Sequence, residues 1–250
     1  MIDVITLNNT NEMKILYTFL ALSLFLISCG GNDDNAVINF KLEYDGEPLV
    51  MFQEYDYPDG NIIEFSRVSF YLTNISLANE GIAYTGGEVY VDLTTAHADL
   101  ESANKGLDLV LDNIEEKKID VLSFDLGLSP TLNATVPSDY PSSNDLSRTG
   151  EYWSNWNSYV FAKIEGRMDR DGDGIKDGFT LHLGSDAAAR SLNFDNAEGD
   201  NEMELTIDVE KVFNTGSLYN LVETPNIHSL NQIDKINQLM DNLASSIEFK

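Results

Sequence analysis

The chain has 250 residues, of which 42 are Asp or Glu and 15 are Lys or Arg, for a formal net charge of −27. That balance excludes nucleic acid and anionic lipid headgroups as partners, because both require a basic surface. Cys29 is the single cysteine, so the chain has neither a disulfide framework nor a thiolate cluster.

Met13 to Cys29, "MKILYTFLALSLFLISC", has one Lys followed by an apolar run from Ile15 to Ile27. The run is too short for a membrane span, which needs about 20 residues. It fits the h-region of a secretory signal, and "LISCGG" resembles a bacterial lipobox in which Cys29 is acylated. Asp3 and Glu12 suit an n-region poorly, so Met13 is the expected start. These features predict a signal peptide over 1–28, a lipidated tether over 29–35 and one β-rich domain over 36–250. Cys29 then anchors the domain in the bilayer of the outer membrane, on its periplasmic or surface face. Several acyl chains give stable anchoring where one gives only marginal binding.

Beyond the tether, strand patterns dominate. "VINFKLEYDG" alternates, with Ile38, Phe40 and Leu42 on one side. "IIEFSRVSFYLTNISLA" continues the pattern over a length that suits one bent strand or two. "GGEVYVDLT", "LDLVLDNI" and "IDVLSFDLGLS" follow, separated by turn chemistry such as "YPDGN" and "YTGG". Short strands without intervening helical patterns predict an all-β fold, an antiparallel sandwich or barrel. Ser129 to Gly150 then reads as a long loop with Pro130, Pro137 and Pro141.

Both tryptophans, Trp153 and Trp156, fall in the next stretch, "GEYWSNWNSYVFAKIEG", beside Tyr152 and Tyr159. Its strand runs into "MDRDGDGIKDG". Counted from Asp169, carboxylates stand at positions one, three, five and nine (Asp169, Asp171, Asp173, Asp177), with Gly174 at six and the Ile175 carbonyl at seven. This is the first part of a calcium loop of the EF-hand kind. Thr180 replaces the bidentate Glu at position twelve, and strands flank the loop, so it resembles thrombospondin type 3 repeats more than a sensor. An affinity on the order of 10⁻⁴ to 10⁻³ M is expected. Without paired helices to move, the loop reads as a brace. "FTLHLG" leaves it and carries His182. If the flanking strands form a hairpin, His182 faces the aromatic end. "MELTIDVEKVF" reads as a last strand. "HSLNQIDKINQLMDNLASSIEF", with Leu230, Ile233, Ile236, Leu239, Leu243 and Ile247, reads as an amphipathic helix opened by His228 and a Ser229–Gln232 capping box. His97 is the remaining histidine.

The stretches "RVSFYLTNISL", "FDLGLS", "YWSNWNSYVFAKIEG" and "FTLHLG", with the C-terminal helix, resemble the MbnP-like family of exported copper-binding proteins associated with methanobactin systems. The resemblance implies a β-rich domain that binds copper in the cell envelope. It also implies a tryptophan, here Trp153 or Trp156, open to oxidation to kynurenine by a di-haem peroxidase-like partner. His182 and His228 match family positions for copper. The histidine that some members place two residues after the tryptophan is absent, since Asn155 and Ser158 stand there.

Enzyme signatures are missing: there is no HExxH, GxSxG, P-loop, dinucleotide turn or CxxCH. The expectation is a non-enzymatic metal-binding lipoprotein with copper at its site and calcium in its loop. A surface ligand- or glycan-binding accessory lipoprotein is the alternative. There the tryptophans form an exposed platform and calcium is only structural, so the position of the tryptophans discriminates the two.

Overall fold

Alternation sorts the strand Asn35–Tyr44 into two faces, with Ala36, Ile38, Phe40, Leu42 and Tyr44 buried and the intervening side chains half-buried. The computed structural model describes residues 35–250 except 80–81, 113 and 115–117. The expected signal segment, Cys29 and the tether up to Asp34 lie outside the described residues. In the smaller sheet, Asn35–Tyr44 pairs with Glu202–Asp208, whose other edge takes Ile247–Phe249. Leu107–Asp112 and Glu47–Pro48 also pair with it, both antiparallel.

The larger sheet is organised by one strand of 18 residues, Ile62–Asn79. It pairs with Glu54–Asp56, Val89–Asp92, Val121–Leu126 and Ala162–Met168. Its register shifts between Thr73 and Ser76, where Asn74 takes a φ of 52°. Asn tolerates that left-handed conformation better than most side chains do. The segment is therefore one bent strand. Beyond it, Ala162–Met168 pairs with Asp177–Leu183, and Arg190–Asp195 with Val121–Leu126.

Apolar inner faces bring the two sheets together. Phe40 meets Phe70 at 5.8 Å between ring centroids, and Tyr44 meets Phe65 at 5.7 Å. Each fully buried Phe contributes about 1.5–3 kcal/mol, so these ring contacts add substantially to the cohesion of the layers. The result is an all-β, barrel-like sandwich with a C-terminal helix. Among the described residues its pairings are antiparallel except for Asn35–Tyr44 with Glu202–Asp208 and Asp177–Leu183 with Asn226–Ile227, which are parallel.

Four features differ from the sequence expectation. The strand expected over "MELTIDVEKVF" ends at Asp208, whose carboxylate accepts from the Glu210 N–H and starts a short helix, Val209–Asn214. The C-terminal helix spans Ile233–Ser245, burying Ile236, Leu239, Met240 and Leu243, and Ile247 belongs to the edge strand instead. No Ser229–Gln232 capping box forms. Ser229 Oγ accepts from the Asn231 N–H, while the Gln232 side chain accepts from the His228 N–H at 3.1 Å. Finally, Ser129–Gly150 is an ordered run of short helical turns, including Pro130–Asn133 with Pro at its first position.

Candidate metal centre

The hairpin Ala162–Met168/Asp177–Leu183 sets Lys163 opposite His182 and Glu165 opposite Thr180. Alternation sends Ile164 and Leu181 into the core and leaves Lys163, Glu165, Thr180 and His182 together on the other face. Asn226–Ile227 adds beside Thr180–Leu181 and delivers His228 to the same place. His228 therefore follows an added strand, not the first turn of the helix.

Tyr152–Trp153 pairs antiparallel with Ser158–Tyr159 across a tight turn. Asn157 takes a φ of 49° in that turn, and the Trp156 N–H donates to the Trp153 carbonyl at 3.0 Å. The proline-containing segment holds this ribbon from behind. Asn133 Oδ1 accepts from the Tyr159 N–H at 2.8 Å and from Ser158 Oγ at 3.0 Å. Tyr159 Oη donates to the Leu146 carbonyl at 2.8 Å.

These elements gather both tryptophans and two of the three histidines. Trp153 is the hub: its ring lies 5.0 Å from Trp156, stacked within 7°, 5.0 Å from His228 and 5.5 Å from His182. The two imidazoles are 5.1 Å apart. At that separation a nitrogen from each can reach one ion through bonds of about 2.0–2.1 Å. Both tryptophans are half-buried. Asn155 is exposed, and Ser158 is buried against Asn133, so neither position adds a ring nitrogen.

Hydrogen bonds fix the rings. His182 Nε2 donates to Glu165 Oε1 at 2.7 Å, and His182 Nδ1 is buried without a hydrogen-bond partner among the described residues. His228 Nε2 lies 2.7 Å from Thr180 Oγ1, which donates to Asn226 Oδ1 at 2.8 Å. The bond from His182 holds Glu165 below the ordinary carboxylate range, with Arg67 and Lys163 adding to the effect against desolvation. Burial pushes the His228 imidazole down, and His182 beside it adds to the shift while Glu165 opposes it. Uncharged imidazoles are the form that binds metal.

Beneath the rings lies a cluster of charges. Glu151, buried, takes Arg67 at 2.7 Å on Oε1 and Lys163 at 2.9 Å on Oε2. Arg67 also donates to Tyr90 Oη at 2.6 Å, and Lys163 to the Gly150 carbonyl at 2.6 Å. Glu151 immediately precedes the tryptophan ribbon, and its carbonyl accepts from the Val160 N–H at 2.8 Å. The cluster therefore pins that ribbon to the sheet.

The acidic loop is the turn of the same hairpin. Oxygens of Asp169, Asp171 and Asp173 lie within 4.8 Å of one another. Asp169 accepts from the Gly172 and Gly174 N–H groups at 2.9 and 3.0 Å, and Asp173 from the Ile175 N–H at 2.7 Å. Asp177 instead pairs with Arg170 at 3.0 Å. Lys176 ties the loop to Glu54 and Glu64 on neighbouring strands. His182 lies five residues beyond Asp177 on its strand, about 16 Å at ~3.3 Å per residue. Loop and ring cluster thus lie apart on one hairpin.

His97 takes no part in either. It is fully buried, donating from Nδ1 to the Leu49 carbonyl at 2.8 Å and accepting on Nε2 from the Leu42 N–H at 3.1 Å. Sequence reasoning missed Glu165, Thr180, Glu151, Arg67 and Asn226. The available signal was that Lys163 and Glu165 alternate with Ala162 and Ile164, giving a polar face to a strand between two neighbours.

Fold and geometry together define a β-sandwich protein in which two neighbouring histidines lie against Trp153, with Trp156 stacked on it. The sequence matches the MbnP family over residues 33–229, and the chain belongs to that family, the methanobactin-associated, copper-related group. The solved structure of MbnP from Methylosinus trichosporium shares the fold, with a TM-score of 0.51 and 13% identity over 74% of this chain and 78% of that one. Among curated proteins, none matches the sequence.

Proposed function

We propose that the protein is a non-enzymatic copper-binding lipoprotein of the cell envelope, anchored through acylated Cys29, that holds copper between His182 and His228. One observation carries the reading. Both histidines outside the core meet each other and the ring of Trp153, on which Trp156 stacks, and the buried His182 Nδ1 lacks a partner among the described residues. Imidazole suits copper, and with no cysteine beyond Cys29 the site relies on nitrogen and oxygen donors. The ring of Trp153 lies against both imidazoles and is itself half-buried, which supports the metal centre over an exposed indole platform. Calcium in the Asp169–Asp177 loop stiffens the hairpin that carries His182.

Trp153 is the residue on which a kynurenine would bear directly on the metal, since it touches both imidazoles, whereas Trp156 stacks on Trp153. A di-haem peroxidase-like partner supplies that oxidation. Peptide mass after co-expression with such a partner is expected to place the modification on Trp153. The central test is copper titration of the purified wild type, His182→Ala and His228→Ala, with near-UV circular dichroism as the folding control. Loss of uptake in both folded variants is expected. Equal uptake by all three proteins sinks the copper reading.

A further inference from the structure

We propose that Glu165 and Thr180 are positioning residues that hold both imidazoles as Nε2–H tautomers, leaving the two Nδ1 atoms as the metal-binding pair. The proposal deepens the copper reading and rests on it for the identity of the ion, but the tautomers belong to the metal-free chain.

At His182 the argument is one of donors and acceptors. A carboxylate only accepts, so the 2.7 Å contact between Nε2 and Glu165 Oε1 places the proton on Nε2. In a neutral ring, Nδ1 then carries the lone pair. That atom is buried and bonded to nothing among the described residues, which is costly unless a ligand completes it. At His228 a hydroxyl does the same work. The single Thr180 hydroxyl proton goes to Asn226 Oδ1 at 2.8 Å, so Thr180 Oγ1 can meet His228 Nε2 at 2.7 Å only by accepting from it. His228 Nδ1 is left with the lone pair. The two partners are themselves held in place. Glu165 stands across from Thr180 in the hairpin and next to Arg67 on the long strand, and Thr180 is fixed by its pairing with Asn226. Metal-binding histidines commonly donate their second nitrogen to such a partner, which sets ring orientation and basicity.

The test uses the full domain labelled with ¹⁵N at histidine, with copper(I) as a diamagnetic probe. In the metal-free chain at neutral pH, long-range ¹H–¹⁵N correlations are expected to show Nε2 protonated and Nδ1 unprotonated in both His182 and His228. Copper(I) is then expected to move the Nδ1 resonances. An Nδ1–H tautomer at either ring, or copper on Nε2, overturns the proposal. Two Nε2–H rings that ignore copper(I) sink the copper reading alone and support the positioning assignment.

Variants separate positioning from bulk structural support. Glu165→Leu and Thr180→Val remove the acceptor at similar size and are expected to weaken copper(I) binding about 10–100-fold. Glu165→Gln and Thr180→Ser restore an acceptor oxygen and are expected to recover most of that loss. Unchanged affinity in folded Glu165→Leu and Thr180→Val overturns the assignment.

Discussion

Replacing Glu151 by Gln tests how the tryptophan ribbon is held. Its carboxylate is 7% exposed and faces Lys163, also 7% exposed, and Arg67, 26% exposed. The substitution keeps shape and one acceptor but leaves two cations against a neutral amide. Removing one partner of a buried pair costs about 3–5 kcal/mol. Arg67 retains Tyr90 and Ser69, and Lys163 retains the Gly150 carbonyl, which favours the lower end. About 3 kcal/mol corresponds to a melting temperature lower by roughly 6–12 °C for a domain of this size. Urea and thermal unfolding followed by tryptophan fluorescence read it directly. The control is Arg148→Ala, which breaks the more exposed pair with Asp145 and is expected to cost about 1 kcal/mol or less. A Glu151→Gln shift no larger than that control would refute the view that a desolvated charge cluster anchors the ribbon.

Calcium at 10 mM is expected to stabilise the domain by about 1.4–2.7 kcal/mol, roughly 3–11 °C, if the loop binds in the 10⁻⁴ to 10⁻³ M range. Asp171→Asn with Asp173→Asn should abolish the rise, and identical melting in calcium and in chelator would leave only a solvated turn. Burial depresses the His97 pKa below its ordinary 6.5, with the bond to the Leu49 carbonyl opposing. The unfolded chain therefore takes up that proton first, so this contribution to stability is complete above about pH 6.5 and lost as pH falls towards the folded value. His97→Gln should flatten the decline between pH 7 and 5.5, and an unchanged slope would show that other groups set it. Cys29→Ala should release the protein from the membrane fraction, and continued membrane association would refute the anchor.

Much of this architecture was legible because period-two patterns survive in strands with one buried face. Ile38, Phe40 and Leu42 fell on one side, and they are core. The long Ile62–Asn79 segment was readable as one bent strand or two, and the strands flanking the acidic loop suggested the hairpin that carries His182. Strand partners were not legible. Nothing local in "VINFKLEYDG" or "MELTID" states that they pair in parallel across most of the chain. The sequence pattern runs the helix past its end because Ile247 keeps the 3.6-residue period, yet an open edge of Glu202–Asp208 captures it as a strand. Gly166 illustrates a constraint visible only in three dimensions. A Cβ there would lie 2.0 Å from the Glu64 carbonyl and 2.6 Å from Phe179, so only glycine fits this step beside Glu165. At the centre, the histidines and tryptophans could be named from residue type. Their partners could not, since Glu165, Thr180 and Asn226 become partners only when three separate strands align.

The most direct test of the copper centre is a crystal structure of the copper-loaded domain with anomalous data collected at the copper edge. A single strong peak bonded to His182 and His228, next to the ring of Trp153, is the predicted result. A peak in the Asp169–Asp173 loop or elsewhere, with none between the two imidazoles, would contradict it.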